Sequence, residues 1–578
     1  MSTALQQALQ HYKAGNFEGV AAGLQQAVKS MKTVDLPVAL LLAQSCYKLG
    51  RLPEAARWYD TASQTPGANS AQLGLLAANL YLRSKGYDKA LAVTRRLLQA
   101  DAGNLDALAV HRNCLRTLML FDEMRASDRA LLAQMQVGGS PALFAMEKPL
   151  DHIFWCADEA VNAQLTRIDD IAPFTPQSRA ARRSRPHQWG EKIRVGYLSG
   201  DVSDQHATMR LIQGVFLAHD REKFEISIFC HTDAGVIATD QGLRQRYNTV
   251  VPIGHLSDAE AEALIRARNI DILVDLKGHT RDSRLSIFNY GAAPLQVAYL
   301  GFPGICTGID CDYMIGDAVV TPDSSKPLHP LKICRLPESY QANDDTHRAL
   351  PAATPRAELG LPEDKIVFAS FNATLKLSPL TFDLWVRILT AVPDSVLWIM
   401  CEIPAAAANF SAAMSAAGIG AERIIFAGRS AYPPHVARLQ AADIALDTFP
   451  CNGHTTTSDK LWAGLPVVTF KGSNFASRVS ESLLRALGLP ELVTEDADGF
   501  VALCIALATD TTKRRAIREK IAANRFAAPL FDTERLTRHL EIAYETMVER
   551  ARQGLPPEHF DVPTLPRRTA PFGPKTTA

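Results

Sequence analysis

No pair of the ten cysteines is spaced as C-x-x-C, so the closely spaced ligands of a structural zinc site are missing and no metal is expected. Scattered cysteines at 46, 114, 156, 230, 306, 311, 334, 401, 451 and 504 fit a reducing compartment. The longest apolar stretch, Phe500 to Ala508, falls far short of the ~20 residues of a membrane helix, and the first residues lack an apolar core of the secretory kind. The expectation is a cytoplasmic protein with no membrane span. Charge of one sign is missing too. Lys and Arg number 61, Asp and Glu 61, which argues against a polyanion-binding surface and so against nucleic acid as partner. Aromatics are 7% and hydrophobic residues 47% of 578, an ordinary globular mix with length for three or four domains. Also absent are G-x-x-x-x-G-K-[ST], a strand-linked G-x-G-x-x-G and H-E-x-x-H.

What is present changes along the chain. Residues 1–145 are rich in Ala, Leu and Gln and read as helices. Tyr12-Lys13-Ala14-Gly15-Asn16-Phe17 returns as Tyr47-Lys48-Leu49-Gly50-Arg51-Leu52, with a third copy at Arg83–Asp88 around Gly86, and Val20, Ala55 and Ala90 stand 35 apart. A small residue at the turn, a bulky one after it and a small packing residue beyond form the tetratricopeptide pattern, of period about 34. About three such repeats are expected. Residues 146–191 add a helix and a linker carrying Pro173, Pro176 and Pro186 among Arg179, Arg182, Arg183 and Arg185, read as solvated.

From Lys192 short apolar runs alternate with helical segments, the signature of doubly wound parallel sheets. Arg194–Ser199, Phe224–Phe229, Ile272–Val274 and Val297–Leu300 are the strands of a domain over 192–350. Ile366–Ala369, Val396–Met400, Ile424–Phe426, Ile444–Leu446 and Val467–Thr469 are those of a second over 351–552. A Pro-rich tail follows over 553–578, with six prolines in 26 residues.

Ligands of such sheets bind where strands feed helix N-termini. Asp447–Asp459 is the most informative such loop: the strand ending at Leu446 runs through Cys451, Asn452 and Gly453 into His454, Thr455 and Thr456. Open amides there, with hydroxyls and an imidazole, suit a phosphate, and Asp459 a ribose, although a well-capped helix reads the same way. Lys376, after its own strand, offers a point charge. Asp310-Cys311-Asp312 spells the D-x-D of metal-dependent sugar transferases but lacks flanking ligands, and Asp312 reads equally as a strand cap. The first domain offers His206 in Asp201–Thr208, and the loops Gly278-His279-Thr280 and Leu300–Gly304.

Together these segments resemble the O-linked N-acetylglucosamine transferase family, tetratricopeptide-bearing sugar transferases of the GT-B fold. The resemblance runs from Lys192 to Arg550 and is most specific over Ala442–Asp459 and Leu461–Thr469. It continues in Ala476–Val479, Pro294–Gln296, Leu300–Gly304 and Arg423–Phe426. It implies two Rossmann-like domains behind the repeats and a UDP-sugar held without metal or cofactor, mostly by the second domain. Lys376 and His454–Thr456 would hold the diphosphate and Asp459 the ribose. His435 and Arg438 would lie near the base, Cys451 and Leu300–Gly301 beside the sugar, and His206 at the reacting centre. Ala373 stands where the family has glutamine, and Tyr432 where it has a lysine. The implied activity is an inverting transfer of N-acetylglucosamine or a hexose to a protein Ser or Thr, the acceptor held by the repeats. Transfer to asparagine, or a repeat-based interaction protein that no longer catalyses, are the alternatives.

Overall fold

The computed structural model describes residues 3–29, 33–65, 69–166, 171–240, 242–247 and 249–572. They fall into two compact units, one of Met1–Met146 with Ile403–Ala413, the other of Glu147–Glu402 with Met414–Ala578.

The first unit holds four helical hairpins: Thr3–Lys13 with Phe17–Val28, Leu36–Lys48 with Leu52–Ser63, Ser70–Arg83 with Tyr87–Ala100, and Leu105–Thr117 with Phe121–Gln136. The chain reverses through one left-handed residue in each: Gly15, Gly50, Lys85 and Met119. The expected third glycine, Gly86, is instead the residue before the helix, and the fourth hairpin turns without any glycine to announce it. Val20, Ala55 and Ala90 are fully buried where partner helices cross.

The second unit contains two parallel sheets. The strands of the first are β1 (Ile193–Ser199), β2 (Phe224–Cys230), β3 (Val250–Pro252), β4 (Ile272–Asp275), β5 (Leu295–Ala298), β6 (Tyr313–Asp317) and β7 (Lys332–Leu336). Those of the second are β8 (Ile366–Ser370), β9 (Ser395–Met400), β10 (Ile424–Ala427), β11 (Ile444–Leu446), β12 (Val467–Phe470) and β13 (Val493–Thr494), and β14 (Phe560–Asp561) comes last in the chain. The first sheet has the order β14-β7-β6-β5-β4-β1-β2-β3 and the second β10-β9-β8-β11-β12-β13. Both therefore contain the doubly wound order 3-2-1-4-5-6. Near-continuous apolar runs such as Ile272–Val274 follow from strands covered on both faces. The order also fixes where ligands go, because it reverses between β1 and β4 in one sheet and between β8 and β11 in the other.

Two segments depart from expectation. The arginine-rich linker is not solvated. Helix Pro176–Ser184 turns Arg182, 2% exposed, onto both Asp310 and Asp312, each at 2.9 Å, and Arg179 and Arg183 add further bonds to the two carboxylates. The D-x-D aspartates are thus committed to arginines, and Asp312 also caps β5 by accepting the Gln296 amide. At the other end, helix Thr533–Arg552 packs on the first sheet's helix Ala207–Ala218, with Tyr544 Oη 3.2 Å from Tyr197 Oη on β1. Beyond it, β14 pairs with β7 and extends the first sheet at that edge.

Candidate active site

Both order reversals carry clusters of polar side chains. In the first domain the loop after β1 supplies Asp201 and the loop after β4 supplies Lys277, whose Nζ lies 2.5 Å from Asp201 Oδ1. Asp201 Oδ2 accepts from the Thr208 hydroxyl at 3.2 Å and lies 3.6 Å from His206 Nδ1. His206 caps the helix that follows, its Nδ1 accepting from the Thr208 amide at 3.3 Å. A nitrogen that accepts from an amide is unprotonated, so Nε2 carries the proton of the neutral ring. Desolvation lowers the His206 pKa from its ordinary value; Asp201 opposes this, and Lys277 and Arg210 reinforce it.

Leu300 takes a left-handed φ of 73°, and at Gly301 a Cβ would stand 2.1 Å from the Leu276 carbonyl oxygen. Only glycine lets the β5 loop lie against the β4 loop. His279, by contrast, serves the fold: it is buried, its Nε2 donates to the Thr307 carbonyl at 2.9 Å, and burial lowers its pKa to about 4.

In the second domain Asp447, at the end of β11, folds the informative loop around itself. One carboxylate oxygen accepts from the amides of Thr448 (2.9 Å) and Gly453 (2.8 Å), the other from the Thr469 hydroxyl (2.9 Å). Gly453 has no room for a Cβ, which would meet Thr457 Oγ1 at 2.4 Å. The β8 loop docks onto this one through Asn372, which donates to Thr448 Oγ1 (2.9 Å), and through Lys376, which donates to the Asn452 carbonyl (2.6 Å). Helix Thr455–Trp462 starts there, and its first amides have no partner within the helix. Thr456 donates its hydroxyl proton to Asn372 Oδ1. His454 Nε2 faces the Ala476 carbonyl at 3.1 Å and must carry the proton, which leaves Nδ1 bare. Burial holds its pKa well below the ordinary value. Cys451 is buried, and burial raises its thiol pKa against the pull of Lys376.

Tyr432, Arg348 and Arg210, which the sequence did not single out as ligands, complete this half. Asp459, 1% exposed, accepts from the Tyr432 hydroxyl at 2.9 Å and lies 3.7 Å from Arg348. Arg210, from the first domain, sits 4.7 Å above the Tyr432 ring. Arg438 contacts His435 Nδ1 at 3.0 Å and lies over Phe371.

A cleft of about 1680 Å³ runs between the domains. It brings His206, Leu300 and Gly301 together with His454 and Thr455, and Asp201, Lys277 and an unpartnered buried nitrogen, His231 Nε2, also line it. Lys376, His435, Arg438, Cys451, Asn452, Gly453, Thr456 and Asp459 are not among the residues that line it. Among the described residues no group of three or more His, Cys, Asp or Glu is arranged to hold a metal ion. No helix there is long and apolar enough to cross a membrane. The missed pair, Lys277 and Asp201, had one legible signal: each follows a strand that borders an order reversal.

Two doubly wound domains facing across such a cleft, behind a helical repeat array, define the GT-B architecture of nucleotide-sugar transferases. Residues 140–352 and 339–540 match glycosyl transferase family 41, and the chain belongs to that family. It is 33% identical over 380 residues to an Arabidopsis thaliana protein named as the probable UDP-N-acetylglucosamine–peptide N-acetylglucosaminyltransferase SEC, covering 64% of this chain and 39% of that one. It is 27% identical over 491 residues to the UDP-N-acetylglucosamine–peptide N-acetylglucosaminyltransferase of Caenorhabditis elegans, covering 64% and 42%. The chain thus spans about two fifths of the length of these relatives. A solved structure of a Thermobaculum terrenum O-GlcNAc transferase mutant superposes with a TM-score of 0.63 at 25% identity, covering 95% of this chain and 98% of that one.

Proposed function

We propose that the chain transfers N-acetylglucosamine from UDP to a Ser or Thr hydroxyl of a protein, with inversion at the sugar carbon. The observation that carries this reading is the cleft itself. It sets a helix start with open amides, His454–Thr455, opposite a polar loop with His206 and the Asp201–Lys277 pair. Lys376 and the helix start hold the diphosphate and stabilise the negative charge of the leaving UDP, an electrostatic contribution in place before reaction. His435 and Arg438 flank the base, and Asp459 takes the ribose. Cys451, Asn452 and Gly453 shape the wall behind the sugar, and Leu300–Gly301 cover its other side.

The acceptor oxygen attacks the anomeric carbon as the bond to the UDP oxygen breaks, and its proton goes to His206. That role requires the other tautomer, with hydrogen on Nδ1, so the ring gives up the bond it accepts from the Thr208 amide and turns this proton toward Asp201 Oδ2, 3.6 Å away. The helical array holds an extended stretch of the acceptor, as stacked hairpins of this kind do through a concave surface. Ten cysteines, all buried in the fold, fit action in the cytoplasm.

The test is incubation of the purified protein with labelled UDP-sugars and cell lysate. Label on protein that is lost by β-elimination supports the reading; label that survives β-elimination assigns transfer to asparagine; none, with UDP bound, overturns catalysis. Photo-crosslinking of a trapped acceptor to residues 3–146 checks the role of the array.

A further inference from the structure

One charged side chain of the donor half has no part in the account above. Lys460 is fully buried in helix Thr455–Trp462, the helix whose start forms the phosphate cradle. An ammonium has three protons to place. Among the described residues its only hydrogen-bond partner is Asn372 Oδ1, at the long distance of 3.5 Å. The same oxygen receives the Thr456 hydroxyl proton, so Lys460 and Thr456, one helical turn apart, share a single acceptor. Asn372 cannot turn its amide around, because its nitrogen already donates to Thr448.

The titratable groups facing Lys460 come from four elements. Asp447 on the β11 loop and Asp459 on its own helix are attractive, Lys376 on the β8 loop is repulsive, and His435 on the neighbouring helix Tyr432–Leu439 completes the ring. Burial, reinforced by Lys376 and partly offset by Asp447 and Asp459, lowers the Lys460 pKa to about 8.

We propose that Lys460 is a positioning residue of the donor site: when a nucleoside diphosphate occupies the helix start, the Lys460 ammonium takes over Asn372 Oδ1 and releases the Thr456 hydroxyl to donate to a phosphate oxygen. The exchange costs no hydrogen bond. Thr456 trades one acceptor for another, and the ammonium shortens a contact it already makes. It also ties the cradle to a proton. The added negative charge favours the protonated lysine, so wherever the free protein has lost part of that proton, binding takes it up again. Uptake is small at pH 7, where the lysine is charged before binding, and grows above pH 8.

The inference rests on the reading of this loop as a UDP site, and its test keeps the two apart. UDP is titrated calorimetrically into wild-type protein at pH 7.0 and 8.5, each in two buffers of different ionisation enthalpy. The expected result is uptake of roughly half a proton or more at pH 8.5 and close to none at pH 7.0. Lys460→Met is expected to take up none at either pH and to bind UDP roughly tenfold more weakly at pH 7.0. Should that variant show no cooperative melt, Lys460→Arg decides: a permanent cation binds UDP, with no uptake and no loss of affinity between pH 8 and 9. Equal uptake in wild type and variant, or none in wild type while UDP binds, overturns the role of Lys460. Absence of any UDP binding overturns the site reading instead.

Discussion

Lys277 and Asp201 meet at 2.5 Å in the wall of the interdomain cleft, each under a tenth exposed, although 76 residues separate them in the chain. They meet because β1 and β4 are neighbours in the sheet and both loops leave the same edge. Removing one member strands the other charge, and breaking such a buried pair costs about 3–5 kcal/mol. Lys277→Met and Asp201→Asn are each expected to lower the melting temperature of the unit that holds the two sheets, and the double variant to lose less than their sum. Thermal melts of the three variants check this coupling.

The Arg182 clamp calls for a contrast between neighbours. Arg182→Ala removes the one arginine that bridges Asp310 and Asp312 and leaves each buried carboxylate with a single, more exposed arginine, at a cost of about 3–5 kcal/mol. Arg183, whose side chain is 36% exposed, adds one more bond to Asp312, and its loss costs under about 1 kcal/mol. Denaturation midpoints for the two variants are expected to separate accordingly.

Tyr432 competes for the oxygen of Asp459 that a ribose would use. Tyr432→Phe is therefore expected to tighten UDP binding roughly threefold to tenfold, the worth of about one hydrogen bond. Weaker binding by calorimetry would show instead that the hydroxyl contacts the nucleotide.

Lys376 and His454, both assigned to the proposed phosphate cradle, differ in what they can give. Lys376 brings a full positive charge, whereas His454 is neutral and spends its one proton on Ala476. Lys376→Ala is expected to weaken UDP about 10–100-fold, the range of a charged hydrogen bond, and His454→Ala distinctly less. Equal losses would refute the assignment of the bare nitrogen.

The acid side of the rate profile reports His206. A base must be unprotonated, and the surroundings of His206 lower its pKa from 6.5. Turnover is expected to hold constant down to and below pH 6.5 and to fall only at lower pH, with that limb absent from the residual rate of His206→Ala. A limb centred at or above pH 6.5 would mean that another group accepts the proton.

Much of this was legible because it is local. A run such as Ile444-Ala445-Leu446 followed by a glycine, three threonines and a helix former can hardly be anything but a strand feeding a helix, and the structure has that unit. Gly15 and Gly50 likewise announced two hairpins. Lys85 and Met119 could not, since nothing in their chemistry favours a left-handed turn and only the packing of the flanking helices imposes it. The linker failed for a related reason. Four arginines among prolines look solvated until a fold places Asp310 and Asp312 beside them, 128 and 130 residues away. Tyr432 and Lys460 were hidden because their roles depend on which carboxylates the sheet order brings close.

Tyr197 on β1 has one of its two hydroxyl partners at Tyr544, 347 residues further on, and the edge strand Phe560–Asp561 is made later still. A chain emerging from the ribosome in order would display the first sheet with one flank bare throughout synthesis of the second. The second sheet has no such wait, since all six of its strands lie within Ile366–Thr494. The consequence is an inverted order of maturation, in which the later-made domain closes first. Synthesis of Thr533–Asp561 would then seal the earlier one, so that a chain cut before Thr533 carries all six strands of the second sheet and a first sheet without its covering helix and edge strand.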